Sequence, residues 1–326
     1  MTPVARPVTV LTTGGTIAMS GTRARPALDA DALLAAVPAL ARVTGLRARS
    51  LLGVPGAHLS AADALAIARA AFAETAVGRG VVITHGTDTL EETAVLCDVL
   101  HGGIEPIVMT GAIRPSSAPG ADGPANLADA VAAAGAPRTA GLGVLVAFGG
   151  ELHAARTVRK VAAISPGAFG SPATGPLGSV AEGRVRITAR PVRPAEPLAL
   201  PEALDGRVPI VPTYLGDDGA ALRAALRDGA DAISFVALGA GHAAPAVLAA
   251  LRHVTAAVPV ALTLRPERGV LLHETYGFEG AEGDLRASGA LPAAGLSPQA
   301  ARMVLLAGLG ARCDRGALAR ALDVEI

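Results

Sequence analysis

Aromatic side chains are scarce in this chain of 326 residues, which holds no tryptophan, two tyrosines and five phenylalanines. The 28 Lys and Arg residues balance the 28 Asp and Glu residues, and no block of like charge stands out. Single-stranded nucleic acids bind to aromatic platforms in basic grooves, and anionic membrane surfaces attract clusters of basic residues. We therefore expect neither a nucleic-acid partner nor a membrane partner.

The sequence also has no long apolar run and no paired cysteines. No stretch of about 18 residues is free of polar interruptions, so no membrane-spanning helix is predicted. Cys97 and Cys313 are far apart and have no histidine neighbour at metal-ligand spacing, and we expect Cys97 to be a small buried hydrophobe. The first residues move directly into a strand without the regions of a signal peptide, which favours a cytoplasmic protein.

Strand-like and helix-like segments alternate along the chain, with short Gly- and Pro-rich joints between them. This rhythm is typical of an α/β fold with a parallel sheet. Residues 189–206 carry four prolines, too closely spaced for a helix interior or a central strand. We predict a larger N-terminal domain over residues 1–188 with a mainly parallel sheet, a linker over 189–206, and a smaller C-terminal α/β domain over 207–326.

The segment Val81–Glu92, VVITHGTDTLEE, begins as a buried strand and ends as the start of a helix. Thr87 and Asp88 lie in the turn between them, and Thr89 to Glu92 has the form of a capping box. Open α/β sheets bind ligands at the carboxyl ends of their strands, and the free N–H groups of a helix start favour an anion. The alternative is that Asp88 and Thr89 only cap the helix.

A second hydroxyl is predicted at the same edge of the sheet. The first strand, Val8–Thr12, is followed by Thr13 and a Gly-Gly turn, which places Thr13 beside Thr87. The alternatives are a tight turn alone or a dinucleotide-binding fold. The sequence gives little support to a dinucleotide-binding fold, because this turn reads T-G-G-T and the nearest G-x-G-x-x-G-like segment, Gly239–Ala244, lies far downstream.

Taken together, these motifs resemble those of the bacterial-type asparaginase family. The first two are TTGGTIA near the N-terminus and HGTDTLEET some seventy residues later. Further similar segments follow in the family's order: residues 110–131, ARTVRK at 155–160, GPLGSV at 175–180 and GLSPQAARMVLL at 295–306. The likeness spans nearly the whole chain, and the ordered set is far more specific than any one motif. It implies the two-domain asparaginase-like fold.

The resemblance also implies an activity and a set of catalytic residues. The expected reaction is L-asparagine and water to L-aspartate and ammonia, with no metal or organic cofactor. Thr13 is the implied nucleophile, forming a threonyl ester, and Thr87, Asp88 and Lys160 form a second set that activates the nucleophile or the water. The resemblance also gives Asp88 the role of holding the substrate α-amino group. Lys160 accepts the proton of the nucleophile if its amine is desolvated, while Asp88 holds that amine by a charge-assisted hydrogen bond, and these two effects oppose each other.

Two departures from the family concern substrate binding. The Ser that binds the substrate carboxylate is replaced by Gly56, followed by Ala57 and His58, so backbone N–H groups take over that role in our prediction. His58 either adds a donor or is a surface residue. The mobile loop after the first motif has no Tyr, and Arg23 or Arg25 stands near its place, either pairing with a substrate carboxylate or remaining solvated.

A third departure concerns the contribution of a neighbouring subunit. In the family, an acidic residue from that subunit contacts the substrate amino group, and Glu282 matches it by position. His242 stands where the family has Asn. The resemblance therefore implies a homodimer or homotetramer with active sites near subunit interfaces. Other small ω-amides, including L-glutamine and D-isomers, are alternative substrates, and a catalytically silent amino-acid sensor is the alternative from another class.

Overall fold

The structure is a computed structural model that describes residues 6–21, 23, 25–193 and 196–323. The chain divides into two compact units, Met1–Arg193 and Pro194–Ile326. This division falls inside the segment predicted to be the linker. The first unit extends beyond the predicted boundary, because the Arg193 guanidinium donates a hydrogen bond to the carbonyl oxygen of His101 at 3.0 Å.

The first unit holds twelve strands and four α-helices within its described residues. The strands are β1 (Val8–Gly14), β2 (Met19–Ser20), β3 (Arg25–Pro26), β4 (Arg47–Val54), β5 (Gly80–Thr84), β6 (Ile107–Thr110), β7 (Val144–Phe148), β8 (Glu151–Ala154), β9 (Arg159–Lys160), β10 (Phe169–Gly170), β11 (Gly178–Ala181) and β12 (Arg184–Ile187). The helices are α1 (Ala30–Ala35), α2 (Ala61–Thr75), α3 (Leu90–Leu100) and α4 (Gly123–Gly135). Short 3₁₀ helices cover Thr16–Ala18, Pro38–Arg42, Gly56–His58 and Pro137–Thr139.

An eight-stranded sheet forms the centre of this unit, in the order β12-β11-β8-β7-β6-β5-β1-β4. The five strands from β7 to β4 are parallel, and β8, β11 and β12 add an antiparallel edge. Two hairpins, β2–β3 and β9–β10, lie outside it. The antiparallel edge was not predicted, because these short strands find their partners through tertiary pairing and carry little local signal.

Alternating side chains of the parallel strands enter two cores, one on each face of the sheet. One core joins Val8 and Val10 to Leu33 of α1 and Leu127 of α4. The other joins buried residues of the same strands to α2 and α3, among them Leu11, Ile67, Ile83, Leu90 and Cys97. Helices therefore cover both faces of the sheet, as parallel strands require.

Several helix starts are capped by the side chain of the residue just before the helix. The side chains of Asp29, Ser60, Ser297 and Asp314 each accept a hydrogen bond from a backbone N–H in the first turn of the helix that follows. Cys97 is fully buried, as expected, and burial together with the adjacent Asp98 raises the pKa of its thiol to about 12. Its thiol therefore stays protonated and packs as a small apolar group.

The second unit is a smaller α/β structure. Its strands are β13 (Ile210–Pro212), β14 (Ile233–Ala237), β15 (Val260–Leu264) and β16 (Leu291–Pro292), and they form one parallel sheet in that order. Its helices are α5 (Ala220–Arg227), α6 (Pro245–Thr255), α7 (Glu282–Ala287), α8 (Pro298–Gly310) and α9 (Arg315–Leu322). The two-unit α/β architecture confirms the predicted fold class. Over the described ranges, no helix combines the length and apolar character that a bilayer crossing requires.

Candidate active site

The strand order of the first sheet creates a crevice at one place. From β1 the chain passes to β4 on one side, and α2 then carries it back across β1 to β5 on the other side. At such a reversal the loops after the neighbouring strands diverge and leave a space at their carboxyl ends, where open α/β sheets bind ligands. The loops after β1, β4 and β5 therefore border the candidate site.

Three glycines let these loops meet. A Cβ atom on Gly15 would lie 2.5 Å from the Cα of Gly86, and one on Gly86 would lie 2.5 Å from the Cα of Gly56. No side chain fits at such a distance from backbone atoms. The loops after β1 and β4 thus both pack against the loop after β5 through backbone contacts, which brings the backbone N–H groups of all three close together.

Thr13, the predicted nucleophile, is not placed to reach a substrate. Its side chain is fully buried within β1, and its hydroxyl donates a hydrogen bond to the carbonyl oxygen of Thr84 at 2.9 Å. A buried hydroxyl that donates to the backbone of the neighbouring strand is satisfied within the sheet and does not contact a ligand. We therefore revise this part of the prediction.

Thr16 is the residue that the sequence reasoning missed. It is partly exposed and begins the 3₁₀ helix Thr16–Ala18 at the carboxyl end of β1. The signal for it is the Gly14-Gly15 pair, whose φ angles of 100° and 78° turn the chain out of the sheet. The last residue before such a pair stays in the strand, whereas the first residue after it enters the loop.

Thr87, Asp88 and Lys160, the other three predicted catalytic residues, lie together. The Nζ atom of Lys160 donates to Thr87 Oγ1 at 2.9 Å and to Asp88 Oδ1 at 2.7 Å. Thr87 is buried and Lys160 half-buried, whereas the Asp88 side chain is 63% exposed. One amine thus links a buried hydroxyl to a carboxylate that a ligand can still reach. Among the described residues, no group of three or more His, Cys, Asp or Glu side chains is suited to hold a metal ion.

Lys160 is the single lysine in the sequence. The other 27 of the 28 basic residues in the chain are arginines. An arginine carries its charge permanently on a planar group, whereas a lysine amine is compact and can give up a proton. Residue 160 is therefore the one position of the chain that carries a lysine side-chain amine.

The backbone of Lys160 is fixed by a hairpin and by α3. The hairpin pairs Lys160 with Phe169, and Phe169 packs against Phe148 of the central sheet with ring centroids 4.9 Å apart. The N–H group of Lys160 donates to the Glu91 carboxylate of α3 at 2.8 Å. These contacts hold the start of the lysine side chain while its amine bonds to Thr87 and Asp88.

His85 occupies the turn between β5 and Thr87 and is fully buried. Its Nδ1 atom lies 2.8 Å from the carbonyl oxygen of Gly86, and its Nε2 atom lies 3.0 Å from Thr93 Oγ1. A carbonyl oxygen only accepts, so Nδ1 carries the hydrogen and Nε2 accepts from Thr93. Burial lowers the pKa of His85 to about 4, against the opposite effect of the bond to Gly86, so the ring is neutral at pH 7.

The predicted capping box at Thr89 does not form. Thr89 is the first flanking residue of α3, but its side chain makes no bond to the helix N–H groups. Its hydroxyl instead donates to the carbonyl oxygen of Gly56 at 2.9 Å. The prediction was wrong because a tertiary contact with the loop after β4 uses the hydroxyl. Asp88 likewise bonds to Lys160, so the alternative of two residues that only cap the helix does not describe this turn.

Gly56, Ala57 and His58, predicted to bind the substrate carboxylate, form a short 3₁₀ helix. Gly56 is buried against Gly86, whereas Ala57 and His58 are exposed. The first N–H groups of a helix have no partner within it. Because Gly56 packs against Gly86, this helix begins beside the turn that holds Thr87. Its first backbone N–H groups are donors suited to an anionic group.

Arg23 and Arg25 are both exposed in the segment after the 3₁₀ helix Thr16–Ala18. Arg25 lies in β3 and pairs with Ser20, and the carbonyl oxygen of Met19 accepts a hydrogen bond from Ser116 Oγ at 2.9 Å. The hairpin is thus tied to the loop after β6. The predicted mobile loop also includes residues 22 and 24, which lie outside the described residues.

Glu282 and His242 lie in the second unit and contact each other. The Glu282 carboxylate is fully buried, accepts from the N–H groups of Thr275 and Tyr276 at 2.7 and 2.9 Å, and lies 3.4 Å from His242 Nε2. Burial raises the pKa of Glu282, but the backbone bonds and the nearby His242 outweigh it and leave the pKa below its usual value. A carboxylate enclosed in this way presents no surface to a substrate, which argues against the predicted contact.

Comparison with known proteins agrees with this architecture. Residues 7–193 match the family model described as "Asparaginase, N-terminal", and residues 207–322 match "Glutaminase/Asparaginase C-terminal domain". A probable L-asparaginase of Deinococcus radiodurans is 36% identical over 301 residues, which cover 90% of each chain. A probable periplasmic L-asparaginase of Haemophilus influenzae is 32% identical, covering 91% of this chain and 87% of the relative. The crystal structure of a probable cytoplasmic L-asparaginase from Campylobacter jejuni superimposes with a TM-score of 0.86 and 29% identity, covering 98% of this chain and all of the other.

The fold and the site thus define an α/β enzyme of the amidohydrolase class, with an amine–hydroxyl–carboxylate set at the switch point of its larger sheet. The two family models together cover most of the chain. The chain belongs to the asparaginase family, which confirms the resemblance drawn from its motifs.

Proposed function

We propose that this protein hydrolyses L-asparagine to L-aspartate and ammonia through a threonyl ester. The observation that carries the proposal is the position of Lys160, whose amine bonds to both Thr87 and Asp88 beside the loop that holds Thr16. The relatives named as L-asparaginases support asparagine as the substrate. The set needs no metal or organic cofactor for this reaction.

In the proposed first step, a threonine hydroxyl oxygen attacks the carbon of the side-chain amide. We assign this attack to Thr16, because it follows the Gly-Gly turn and is partly exposed, whereas Thr13 is buried. The hydroxyl proton passes through the amine–hydroxyl set of Lys160 and Thr87 to the leaving nitrogen, the C–N bond breaks, and ammonia departs. Water then adds to the ester, its proton returns to Thr16, and aspartate is released.

Backbone N–H groups and one carboxylate bind the two charged groups of the substrate in this proposal. The start of the 3₁₀ helix Gly56–His58 supplies N–H groups for the substrate α-carboxylate, and His58 lies exposed at its end. The exposed carboxylate of Asp88 pairs with the α-amino group. Each end of the amino acid is then held by a different loop, which leaves the side-chain amide near Thr16 and Lys160.

L-Glutamine or another small ω-amide is the second candidate substrate. Gly56 supplies no side chain at the position where the family has a carboxylate-binding Ser, so the site loses one hydroxyl donor for the substrate carboxylate. The description of the C-terminal family model, which includes glutaminase, supports keeping this candidate. One methylene group changes kcat/KM by about 10- to 200-fold in a hydrophobic pocket, and an assay of both substrates side by side measures this ratio here.

We also propose a homodimer or homotetramer that acts in the cytoplasm. Exposed apolar and aromatic side chains of the second unit support assembly, since Leu215 is 99% exposed and Tyr214 57%. The name of the Campylobacter jejuni structure supports the compartment, although the Haemophilus influenzae relative is named periplasmic. Light scattering after size-exclusion chromatography tests the assembly; a monomer at micromolar concentration would contradict it.

The experiment that tests the function measures ammonia release from L-asparagine and L-glutamine by the purified protein. Lys160→Met removes the amine, and Lys160→Arg keeps the charge but not the compact, deprotonable group. Both variants should lose at least about 100-fold in kcat, as expected for a group that transfers protons, while circular dichroism stays unchanged. A folded wild-type protein that releases no ammonia from asparagine contradicts the proposal, and so does a Lys160→Met variant of undiminished activity.

A further inference from the structure

We propose that the first turn of α3 is a positioning element that assembles the site from three separate segments. Thr89, Glu91 and Thr93 each make a hydrogen bond to a different part of it. These three residues are positioning residues, because each acts on the site through another group. The inference rests on the proposed function for its kinetic consequences, whereas its structural consequence is measured without any substrate.

The first contact fixes the loop after β4. Thr89 Oγ1 donates to the carbonyl oxygen of Gly56 at 2.9 Å. Gly56 begins the 3₁₀ helix that supplies donors for the substrate carboxylate, so this bond sets how far that helix lies from the start of α3. It also explains why the Thr89 hydroxyl is not used as a helix cap.

The second contact fixes the hairpin that holds the lysine. The Glu91 carboxylate accepts the N–H group of Lys160 at 2.8 Å. Because the amine of the same residue bonds to Thr87 and Asp88, Lys160 is held at both ends of its side chain by residues in and just before α3. A lysine side chain has many rotamers, and two fixed ends restrict it to few of them.

The third contact fixes the turn after β5. The Thr93 hydroxyl donates to His85 Nε2 at 3.0 Å, and the opposite ring nitrogen donates to the carbonyl oxygen of Gly86 at 2.8 Å. Gly86 immediately precedes Thr87 and contacts both Gly15 and Gly56. Thr93, His85 and Gly86 are all buried, so the orientation of the Gly86 peptide depends on these two hydrogen bonds.

The spacing of Thr89, Glu91 and Thr93 along the chain directs their side chains towards these three segments. Thr93 lies four residues after Thr89 and hence on the same side of the helix start, where the loops after β4 and β5 meet. Glu91, two residues after Thr89, lies roughly opposite and reaches the hairpin. One rigid helix end therefore sets the distances between the carboxylate-binding loop, the amine and the hydroxyl turn.

The structural test uses the single lysine of the chain. Labelling with ¹⁵N-lysine gives one backbone amide signal, that of Lys160, and its hydrogen-exchange rate reports the bond to Glu91 directly. Glu91→Met has similar length and helix propensity but no acceptor, whereas Glu91→Gln keeps an acceptor oxygen. We expect exchange at least about tenfold faster in Glu91→Met and nearly unchanged in Glu91→Gln. An unchanged rate in Glu91→Met overturns the inference, whether or not the protein hydrolyses asparagine.

The kinetic test compares Thr93→Val, which is isosteric and has no hydroxyl, with Thr93→Ser, which keeps it. We expect kcat to fall at least about tenfold in the valine variant with KM changed less than about threefold, since small misplacements of catalytic groups are costly. The serine variant should recover to within about threefold. Thr139→Val is the matched control, because Thr139 is buried in the same unit and its hydroxyl bonds to the carbonyl oxygens of Ala133 and Ala136, away from the site.

Either of two results overturns the kinetic part of the inference: a Thr93→Val variant within twofold of the wild-type kcat, or an equal loss of kcat in Thr139→Val. Because every value is a ratio to the wild-type protein, an inactive wild type counts against the proposed function alone. In that case the exchange rate of the Lys160 amide still decides whether α3 positions the lysine.

Discussion

Acid should destabilise this protein through His85, and the structure gives the size of the effect. An unfolded histidine has a pKa near 6.5, whereas burial lowers that of His85 to about 4. A group whose pKa is lower in the folded state binds more protons when unfolded, so its contribution to stability is present above pH 6.5 and is lost as the pH falls towards 4. At about 1.4 kcal/mol per pH unit, lowering the pH from 7.5 to 5 removes about 2 kcal/mol.

The assay is urea unfolding at pH 7.5 and pH 5 for the wild type and for His85→Gln. Glutamine also offers one N–H donor for Gly86 and one acceptor for Thr93, but it does not titrate. The wild type should lose about 2 kcal/mol more than the variant between the two pH values. His101 and His153, whose pKa values are also lowered by burial, contribute equally to both proteins and cancel. An equal loss in the two proteins would refute the reasoning.

Two further predictions concern close packing and buried charge. Gly86→Ala should lower the free energy of unfolding by about 1–3 kcal/mol and reduce kcat, because the new Cβ lies 2.5 Å from the Cα of Gly56. Gly53→Ala is the control, since its Cβ meets nothing within 4 Å and should change neither quantity. Equal effects of the two substitutions would contradict the packing argument. Asp98→Ala should cost about 3–5 kcal/mol in urea unfolding, because the buried carboxylate accepts from Val144 N–H at 2.9 Å and Arg156 Nε at 3.1 Å. A loss below about 1 kcal/mol would show that this network is dispensable.

Local sequence patterns were sufficient where the structure is determined locally. The Val81 strand, the turn at Thr87 and the start of α3 follow from an apolar run, a Gly and a helix-forming segment. The caps at Ser60 and Asp314 are local features too, because each side chain and the N–H group it binds lie within four residues. Features of this kind need no knowledge of the rest of the fold.

Tertiary contacts account for the parts that sequence patterns did not predict. Thr89 has the right neighbours for a capping box, yet a carbonyl 33 residues earlier takes its hydroxyl. Thr13 and Thr16 flank the same Gly pair, and the structure distinguishes them because the Thr13 hydroxyl donates to the carbonyl oxygen of Thr84 in the neighbouring strand. Glu282 follows the spacing of a substrate-binding residue, but its carboxylate is enclosed by the loop that precedes it.

The place of the candidate active site follows from the strand order of the larger sheet. Because the chain reverses direction across β1, the ends of β1, β4 and β5 meet at a single place, and glycines allow their loops to touch. The groups that we propose as catalytic come from nearby segments: one hydroxyl from the loop after β1, one hydroxyl and one carboxylate from the loop after β5, and one amine from a hairpin beside α3. The single lysine of the chain completes this set.

The most direct test of the account is ammonia release from L-asparagine by the wild type, Thr16→Val and Thr13→Val, measured side by side. The two substitutions are isosteric and remove one hydroxyl each. The account predicts that Thr16→Val loses at least about 1000-fold in kcat, as expected for a nucleophile. Thr13→Val should stay within a few-fold of the wild type. Loss in Thr13→Val with activity retained in Thr16→Val would contradict it and return the nucleophile to the buried threonine.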